Sequence, residues 1–306
     1  MNMQQLRCIC EVVQQDLNLS KVAKVLFTSQ PGVSRQVLQL EDELGVKIFV
    51  RSGKRLVGVT EPGQEIIRIA QRMLADGRGM KEVRREFGHE ATGELTIATT
   101  HTQARYVLPP VIKRFMKRYP HVKLSLRQGN PHEIAQMTIN GQADFAVATE
   151  AISLYEQLVS FDCYQWNRCV LVLPGHPLLK VATLTLEELA RHPIITYDLS
   201  FAGRSRMDKA FAAKGIVPNV ALAAIDADVI KTYVRLGLGV GVVAEMAYSK
   251  TEDRAFRRVE AAHLFDPSVT RLGIRRHSYL RGYTYDFIEM FAPHLARAVV
   301  SQALHT

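Results

Sequence analysis

The sequence predicts an α/β protein with an N-terminal all-α helix-turn-helix and wing, a long linker helix, and a C-terminal two-lobed α/β domain. Three observations support this fold class. Residues 20–44 show two helical patterns joined by a tight corner. Residues 66–87 repeat apolar or small side chains at alternating steps of four and three. From residue 94 onward, strand-like apolar segments alternate with helical ones, as expected of βαβ units around a parallel sheet.

The expected domain boundaries follow these changes of pattern. Residues 1–60 would form the helix-turn-helix and its wing, and residues 61–92 the linker helix and a hinge. The two-lobed domain would cover residues 93–306, with lobe I at about 93–163 and 268–306 and lobe II at about 164–267.

Composition places the chain among globular proteins. Its 306 residues are 47% hydrophobic and 23% charged, which is ordinary for a folded domain. The longest apolar stretch, residues 236–244, is too short to span a bilayer, and the first ten residues do not resemble an export signal. We therefore expect a cytoplasmic protein without membrane contact. The four cysteines, at positions 8, 10, 163 and 169, are expected to be reduced packing residues.

The net charge of +9 favours an anionic partner. Residues 1–90, however, hold 14 Lys and Arg against 11 Asp and Glu, a net charge of +3, so the remaining 216 residues carry the other +6. A nucleic-acid partner must therefore be argued from the placement of particular side chains.

The helical pair is expected to begin at Ser20, whose hydroxyl can cap a first helix. Apolar side chains of that helix would face inward: Val22, Ala23, Val25 and Leu26. A second helix would begin near Ser29, with Pro31 in its first turn, where proline costs no hydrogen bond. Its buried stripe is expected at Val33, Val37, Leu40 and Leu44. Upstream, an amphipathic helix would cover the pair with Met3, Leu6, Ile9, Cys10, Val13 and Leu17.

The second helix leaves polar side chains on its outer face: Ser29, Gln30, Ser34, Arg35 and Gln39. These residue types reach base edges and phosphates, although an ordinary helical hairpin with a solvated face has the same pattern. Gly45 would end this helix. Two short strands, at residues 46–51 and 56–60, would then form a wing with Lys47, Arg51, Lys54 and Arg55.

The run LFTSQPGVSRQVLQLEDELGVKIFVRSGKRLVGVTEPGQE resembles the N-terminal signature of LysR-type transcriptional regulators. The resemblance implies a winged helix-turn-helix. It also implies DNA contacts from Ser29, Gln30, Pro31, Ser34 and Arg35, and wing contacts from Arg51, Lys54 and Arg55.

The seam after the wing comprises Ile66, Ala70, Met73, Gly77, Met80, Val83 and Phe87. Its spacing is typical of a coiled coil, and we expect it to form a dimerising linker because a recognition helix normally works with a twofold partner. The alternative is a helix packed on its own domain, since Gly77 and Gly79 weaken the helix.

The C-terminal domain is expected to contain strands at residues 95–99, 122–127, 145–148, 168–173, 194–197, 220–224 and 240–243. Helices are expected at residues 103–119, 131–140, 186–191, 204–214, 228–236 and 285–304. Ligands of such lobes bind where parallel strands end and helices begin. This rule points to residues 99–103, 149–150 and 200–205, where hydroxyl groups could hold an oxyanion or a carboxylate, although such hydroxyls are often only helix caps. Ordinary charge pairs along one helix are expected from four further residues, Asp226, Asp228, Lys231 and Arg235.

ATTHTQARY, ADFAVATEA, CYQWNR, GRS and DADVIKTYVRLGLGVGV are similar to the CysB group of the LysR family, the regulators of sulfur assimilation. The resemblance implies two lobes like those of periplasmic binding proteins, with a cleft for sulfate or a sulfur-pathway metabolite. It implies effector ligands at Thr100, Thr102, Gln103 and Thr149, with Tyr164 and Trp166 near the crossover between lobes. Ala202 stands where the group often has threonine, which leaves the identity of the effector open.

These patterns together predict a DNA-binding regulator that activates genes of sulfur assimilation, for cysteine biosynthesis or for sulfonate or sulfate utilisation. Expected partners are promoter DNA, a homodimer or homotetramer, and RNA polymerase. The effector would be sulfate, acetylserine or adenosine phosphosulfate, with no metal or other cofactor. The alternatives are a repressor or a regulator of another small anion, and a solute-binding receptor, which would leave residues 20–55 without a role. No nucleophile–base pair or phosphate loop indicates an enzyme.

Overall fold

In a computed structural model, which describes residues 1–53, 55–87, 92–199 and 202–305, the chain divides into two units. The first comprises Met1–His89 with Ile139–Gln142, and the second Glu90–Thr138 with Ala143–Thr306. The N-terminal unit contains α1 (Met3–Gln14), α2 (Leu19–Val25), α3 (Gln30–Leu44), β1 (Phe49–Ser52), β2 (Arg55–Val59) and α4 (Glu61–Phe87).

One apolar core holds the N-terminal unit together. Ile9 of α1, Val22 of α2, Val33 and Leu40 of α3, and Ile48 before the wing are all completely buried. The antiparallel pair β1–β2 follows α3, which ends at Gly45 in the left-handed conformation with φ 68°. These elements form the helix-turn-helix and wing that the sequence predicts.

The first helix of the pair does not begin as expected. Asn18, not Ser20, caps α2, because its side chain accepts hydrogen bonds from the backbone N–H groups of Ser20 and Lys21. The inward stripe is also shorter than predicted. Val25, Leu44 and Met3 are exposed to 39%, 38% and 47%, since each lies at an end of its helix, beyond the reach of the core.

The predicted coiled-coil seam of α4 is buried in its first part and exposed further along the helix. Ala70 is buried and Ile66 packs on the core of the N-terminal unit, so this part of α4 behaves as the alternative interpretation expects. Met73 and Met80 are 37% and 77% exposed and remain available to a partner. The side chains of Val83 and Phe87, and the hinge residues 88–91, lie outside the described part of the chain.

Lobe I of the C-terminal unit is built on a five-stranded sheet of order β4-β3-β5-β12-β6. Its strands are β3 (Gly93–Thr99), β4 (Val122–Gln128), β5 (Phe145–Ala148), β6 (Leu158–Trp166) and β12 (Ser268–Arg275). The associated helices are α5 (Leu108–Arg118), α6 (Pro131–Ile139), α10 (Gly282–Phe291) and α11 (Arg297–His305). Strands β3, β4 and β5 are parallel, whereas β12 runs antiparallel to both β5 and β6.

Lobe II contains a second five-stranded sheet, of order β11-β7-β10-β8-β9. Its strands are β7 (Arg168–Val172), β8 (Ile194–Tyr197), β9 (Val220–Ala224), β10 (Val240–Ala244) and β11 (Arg257–Glu260). The helices are α7 (Leu186–Ala190), α8 (Ala202–Ala213) and α9 (Ala227–Arg235). Short 3-10 turns occur in the two lobes at Glu150–Leu154, Pro177–Lys180, Glu245–Ala247 and Ala262–Leu264.

Two features of the sheets differ from the prediction. The sheets are mixed, because β7, β11 and β12 run antiparallel to their neighbours. Strands β6, β11 and β12 were not predicted. The nine-residue β6 carries exposed Asp162 and Gln165 among buried side chains and a register irregularity opposite Thr270 and Arg271, which obscures its alternation in the sequence.

Two predicted helices are interrupted. The segment 103–119 begins as a π-helical turn, Gln103–Val107, and continues as α5 from Leu108, because Pro109 and Pro110 have no N–H to continue an α-helical hydrogen-bond ladder. The segment 285–304 is divided into α10 and α11, with Pro293 in the break.

Candidate DNA-binding surface and effector site

Helix α3 has one buried apolar face and one exposed polar face. Ser29 caps it by accepting a hydrogen bond from the N–H of Gly32 at 3.2 Å. Since Val33, Val37 and Leu40 are fully buried, the opposite face must point to solvent. Exposed side chains on that face and at its start are Ser29, Gln30, Pro31, Arg35 and Gln39, with Ser34 half-buried. Gln30 also accepts a hydrogen bond from the Ser20 hydroxyl at 3.2 Å, which joins the starts of α2 and α3.

A buried carboxylate, which sequence reasoning missed, attaches the wing to α3. Glu41 is 1% exposed and accepts hydrogen bonds from the backbone N–H groups of Ile48 at 2.9 Å and Phe49 at 3.1 Å. Its second oxygen lies 3.7 Å from Lys47 Nζ and 3.6 Å from Arg51 Nη2. The signal in the sequence was an acidic residue four positions after Val37, on the buried stripe.

The predicted wing cations therefore differ in their surroundings. Arg51 is half-buried against Glu41, so part of its positive charge is balanced by this carboxylate inside the N-terminal unit. Arg55 is exposed at the start of β2. Lys54 lies outside the described residues.

In lobe I, the predicted effector residues follow neighbouring parallel strands. Thr99 of β3 pairs with Val147 of β5, so Thr100 and Thr149 both lie just beyond the carboxyl ends of adjacent strands. Thr100 is 6% exposed, and Thr102 and Thr149 are half-buried. A small anion placed at this edge would meet hydroxyl donors and the N–H groups of the following turns.

Gln103 is engaged inside lobe I. Its Nε2 donates to Thr270 Oγ1 at 3.1 Å, and its Oε1 accepts a hydrogen bond from the Tyr164 hydroxyl. Gln103 is 1% exposed, and burial raises the pKa of Tyr164 to about 12. The amide thus braces the turn after β3 against β6 and β12.

Trp166 has a free donor. Its side chain is 7% exposed, and its indole Nε1 is buried without a hydrogen-bond partner among the described residues. The guanidinium of Arg168 lies 5.2 Å from the ring centroid and donates to Ser268 Oγ at 2.9 Å. An unsatisfied buried N–H is costly in a folded protein, which makes this indole a candidate ligand donor.

Lobe II contributes Tyr197, which the sequence analysis did not single out. Its buried phenol oxygen accepts a hydrogen bond from the N–H of Ala244 at 3.2 Å, and the side chain of Thr102 in lobe I acts to lower the pKa of the phenol. Burial raises the pKa of Tyr197 to about 12. Arg204 Nη1 donates to the Tyr197 carbonyl at 3.4 Å and its Nε to Asp208 at 2.8 Å. Ala202 starts α8, and residues 200 and 201 lie outside the described part.

The expectation of ordinary charge pairs along α9 is wrong. Asp226 caps the helix by accepting a hydrogen bond from the N–H of Val229 at 2.8 Å. Asp228 accepts a hydrogen bond from the Tyr106 hydroxyl of lobe I at 2.6 Å. Lys231 is 7% exposed and donates to the buried Asp253 at 2.8 Å. The partners of Asp228 and Lys231 come from other elements because α9 lies between the sheet of lobe II and the π-helical turn of lobe I.

Within the described residues, no group of three or more His, Cys, Asp or Glu side chains could hold a metal ion. In the same part of the chain, no helix is long and apolar enough to span a membrane. What the site offers is neutral hydroxyl, phenol and indole donors beside strand ends, which suits a small anion.

Comparison with known proteins gives the class. The family described as "Bacterial regulatory helix-turn-helix protein, lysR family" matches residues 3–64, and the "LysR substrate binding domain" matches residues 88–296. The chain belongs to the LysR family of transcriptional regulators. It is a helix-turn-helix regulator with a domain for a small-molecule effector and is not an enzyme.

Individual relatives indicate which members of the LysR family the chain is similar to. The transcriptional regulator SsuR of Burkholderia cenocepacia is 54% identical over 304 residues, covering 99% of each chain. The transcriptional regulator CysB of the same organism is 49% identical over 304 residues, covering 99% of this chain and 97% of that one. The crystal structure of the cofactor-binding domain of the Cbl regulator matches with 45% identity and a TM-score of 0.68, covering 70% of this chain and 95% of that domain. The predicted fold class and the predicted effector-responsive regulator of the CysB group are confirmed.

Proposed function

We propose that the protein binds double-stranded promoter DNA in the cytoplasm, as a homotetramer built from dimers, and activates sulfur-assimilation genes together with RNA polymerase. In this proposal residues 1–60 read DNA, residues 61–92 join the subunits and residues 93–306 sense the effector. The outer face of α3 carries the first part of the proposal, since Arg35, Gln39 and Gln30 are exposed above a fully buried apolar stripe. The exposed Met73 and Met80 of α4 support a subunit contact.

Base and phosphate contacts divide between α3 and the wing. Arg35, Gln30 and Gln39 have the side chains that pair with guanine or adenine edges. Ser29, Ser34 and Pro31 lie at the start of α3, where N–H groups can approach a phosphate. The wing residues Arg51, Lys54 and Arg55 would contact neighbouring phosphates.

The effector is a small compound of sulfur assimilation that carries an oxyanion or a carboxylate, such as sulfate, acetylserine or adenosine phosphosulfate. The observation that carries this proposal is the placement of Thr100 and Thr149 beyond adjacent strand ends, with Thr102 and the free Trp166 indole N–H on the same domain. Tyr164 and Gln103 support these donors from within lobe I. Ala202 in place of a threonine removes one hydroxyl, which costs about 1 kcal/mol for a neutral hydrogen bond and shifts the preference among these compounds.

Effector binding changes the angle between the lobes, and the linkers convert that change into a new spacing of recognition helices on DNA. Footprinting of a sulfur-gene promoter with and without each compound tests this step. A footprint that shortens or shifts with one compound is expected, and an unchanged footprint with all of them contradicts the proposal. A thermal-shift series with sulfate, thiosulfate, acetylserine and adenosine phosphosulfate identifies the compound, because a ligand of the native state raises its melting temperature.

Thr100→Val tests the site itself. The substitution keeps the shape of the side chain and removes the hydroxyl, so affinity for the identified effector should fall about fivefold to tenfold while promoter binding without effector is unchanged. Isothermal titration calorimetry measures the loss.

Thr138→Val is the matched control. Thr138, like Thr100, is a buried threonine of the C-terminal unit, but its hydroxyl donates to the Ile134 carbonyl of its own helix. Its replacement should leave effector affinity unchanged. If Thr100→Val retains full affinity, the turn after β3 is not the sensor.

A further inference from the structure

Residues 102–107, which include the π-helical turn Gln103–Val107, approach lobe II from lobe I at two points. Thr102, just before the turn, lies near the phenol of Tyr197, and its side chain acts to lower the pKa of that phenol. Tyr106, four residues further on, donates from its hydroxyl to Asp228 Oδ1 at 2.6 Å. π-Helical turns are rare and occur often at functional sites. This one places candidate effector residues and interlobe contacts on a single short segment.

The surroundings of Asp228 favour its charged form, which accepts the hydrogen bond from Tyr106. Asp228 lies in the first turn of α9, where the helix dipole favours a negative charge. Arg105 Nε lies 3.5 Å and His101 Nε2 3.9 Å from Asp228 Oδ2. Lobe I thus surrounds one lobe II carboxylate with a phenol, a guanidinium and an imidazole.

The far side of the Tyr106 hydroxyl is also occupied. Lys231 Nζ lies 3.4 Å from the hydroxyl oxygen and 5.0 Å from the ring centroid. Lys231 is itself fixed by Asp253 at 2.8 Å, and Asp253 also accepts a hydrogen bond from the N–H of Ser249. Burial and the hydrogen bond to Asp228 raise the pKa of Tyr106, so the phenol stays protonated and remains a donor over the physiological range.

We infer that Tyr106 and Asp228 are positioning residues for effector binding: their hydrogen bond holds the turn that carries Thr102 and Gln103 against lobe II. The inference rests on the proposed effector site after β3. A ligand that needs the turn in this place binds less tightly when the bond is lost, because part of its binding free energy must then order the turn.

A second tyrosine provides an unusually close control. Arg118, Tyr119 and Asp286 repeat the arrangement of Arg105, Tyr106 and Asp228: the tyrosine hydroxyl donates to the aspartate, and the preceding arginine lies beside it. Both members of the Tyr119 pair belong to lobe I. Tyr119→Phe therefore removes the same kind of bond without touching the interface between lobes.

The test compares the full-length wild-type protein with Tyr106→Phe and Tyr119→Phe. Hydrogen–deuterium exchange of residues 100–108 without ligand measures the order of the turn, and calorimetric titration with inorganic sulfate measures its consequence. Tyr106→Phe should accelerate exchange in this segment and weaken sulfate binding about fivefold. Tyr119→Phe should do neither, although both variants lower the melting temperature.

Substitutions of Asp228 separate positioning from general stability. Asp228→Ala also removes the partner of Arg105 and His101, so it should weaken sulfate binding at least as much as Tyr106→Phe. The double variant should lose no more sulfate affinity than Asp228→Ala, because the Tyr106 and Asp228 side chains act as one pair. Asp228→Asn retains an acceptor oxygen and should recover most of the lost affinity.

Three outcomes would overturn the positioning role, and a fourth would contradict the proposed ligand. Unchanged exchange in Tyr106→Phe overturns the positioning role, and so does faster exchange with unchanged sulfate affinity. An equal loss of sulfate affinity in Tyr119→Phe would also overturn it, since a bond within one lobe would then suffice. Failure of the wild type to bind sulfate contradicts the proposed ligand, and exchange in the turn then decides the positioning role alone.

Discussion

The surface proposed to read DNA and the site proposed to sense the effector present polar side chains in opposite ways. On α3, Arg35 and Gln39 stand exposed above a buried stripe. In the effector domain, Gln103 and Tyr164 are hydrogen-bonded to each other and Tyr197 to a backbone amide. A DNA-reading face must be free before its partner arrives, whereas a small-ligand site must already be ordered.

The exposed face of α3 nevertheless depends on one buried charge, and this gives the largest expected effect. Glu41→Ala leaves the N–H groups of Ile48 and Phe49 without their acceptor and removes the partner of Arg51. The N-terminal unit should lose about 3 kcal/mol of stability. Promoter affinity should fall with it because the wing is released. Urea titration with hydrogen exchange of residues 1–60 measures the first effect, and fluorescence anisotropy on promoter DNA the second.

Two control variants accompany Glu41→Ala: the conservative Glu41→Gln and the neighbouring Asp42→Ala. The glutamine keeps an acceptor oxygen and should lose less, and the exposed Asp42 should be almost silent. Equal behaviour of Asp42→Ala and Glu41→Ala would show that the burial of Glu41 has no special role.

Gln103→Leu tests whether the effector site is braced from within. The substitution leaves the Tyr164 and Thr270 hydroxyls without the amide between them, so the C-terminal unit should lose about 2 kcal/mol. The chain has one tryptophan, and its fluorescence reports unfolding of this unit directly. Gln165→Leu, the same change at an exposed position of β6, should cost little. Loss of effector response at unchanged stability would instead make Gln103 a simple ligand contact.

Arg35→Ala is expected to have the smallest effect on stability and to change only the affinity for promoter DNA. Because the side chain is exposed, the melting temperature should stay constant. Promoter affinity should fall about tenfold or more, as for the loss of one base or phosphate contact. Arg191→Ala, on the exposed surface of lobe II, serves as the control in the same anisotropy assay. Full affinity in Arg35→Ala would show that another face of the unit reads DNA.

The same contrast explains how far sequence reasoning reached. Strands β8 and β9 were predicted to the residue, and the buried stripe of α3 was correct at Val33, Val37 and Leu40, because both are local patterns with a fixed period. The cap at Asn18 was missed because Ser20 offered an equally good local signal.

What sequence reasoning could not reach depends on distant partners. Gln103 bonds to Tyr164 and Thr270, which lie 61 and 167 residues away. Tyr106 finds Asp228 across 122 residues. Such pairs have no period and no spacing in the chain. The antiparallel insertion of β12 was missed for the same reason, since it pairs with β5, a strand far away in the chain.

That late strand has a consequence for synthesis. Since β12 separates β5 from β6 in the lobe I sheet, the first lobe to begin on the ribosome is the last to be closed, and the second lobe can finish while its neighbour still waits for residues beyond 267. A message cut short before that point would yield a product in which β5 has an unpaired edge and β6 has no pairing strand, and such a product is prone to aggregate instead of folding.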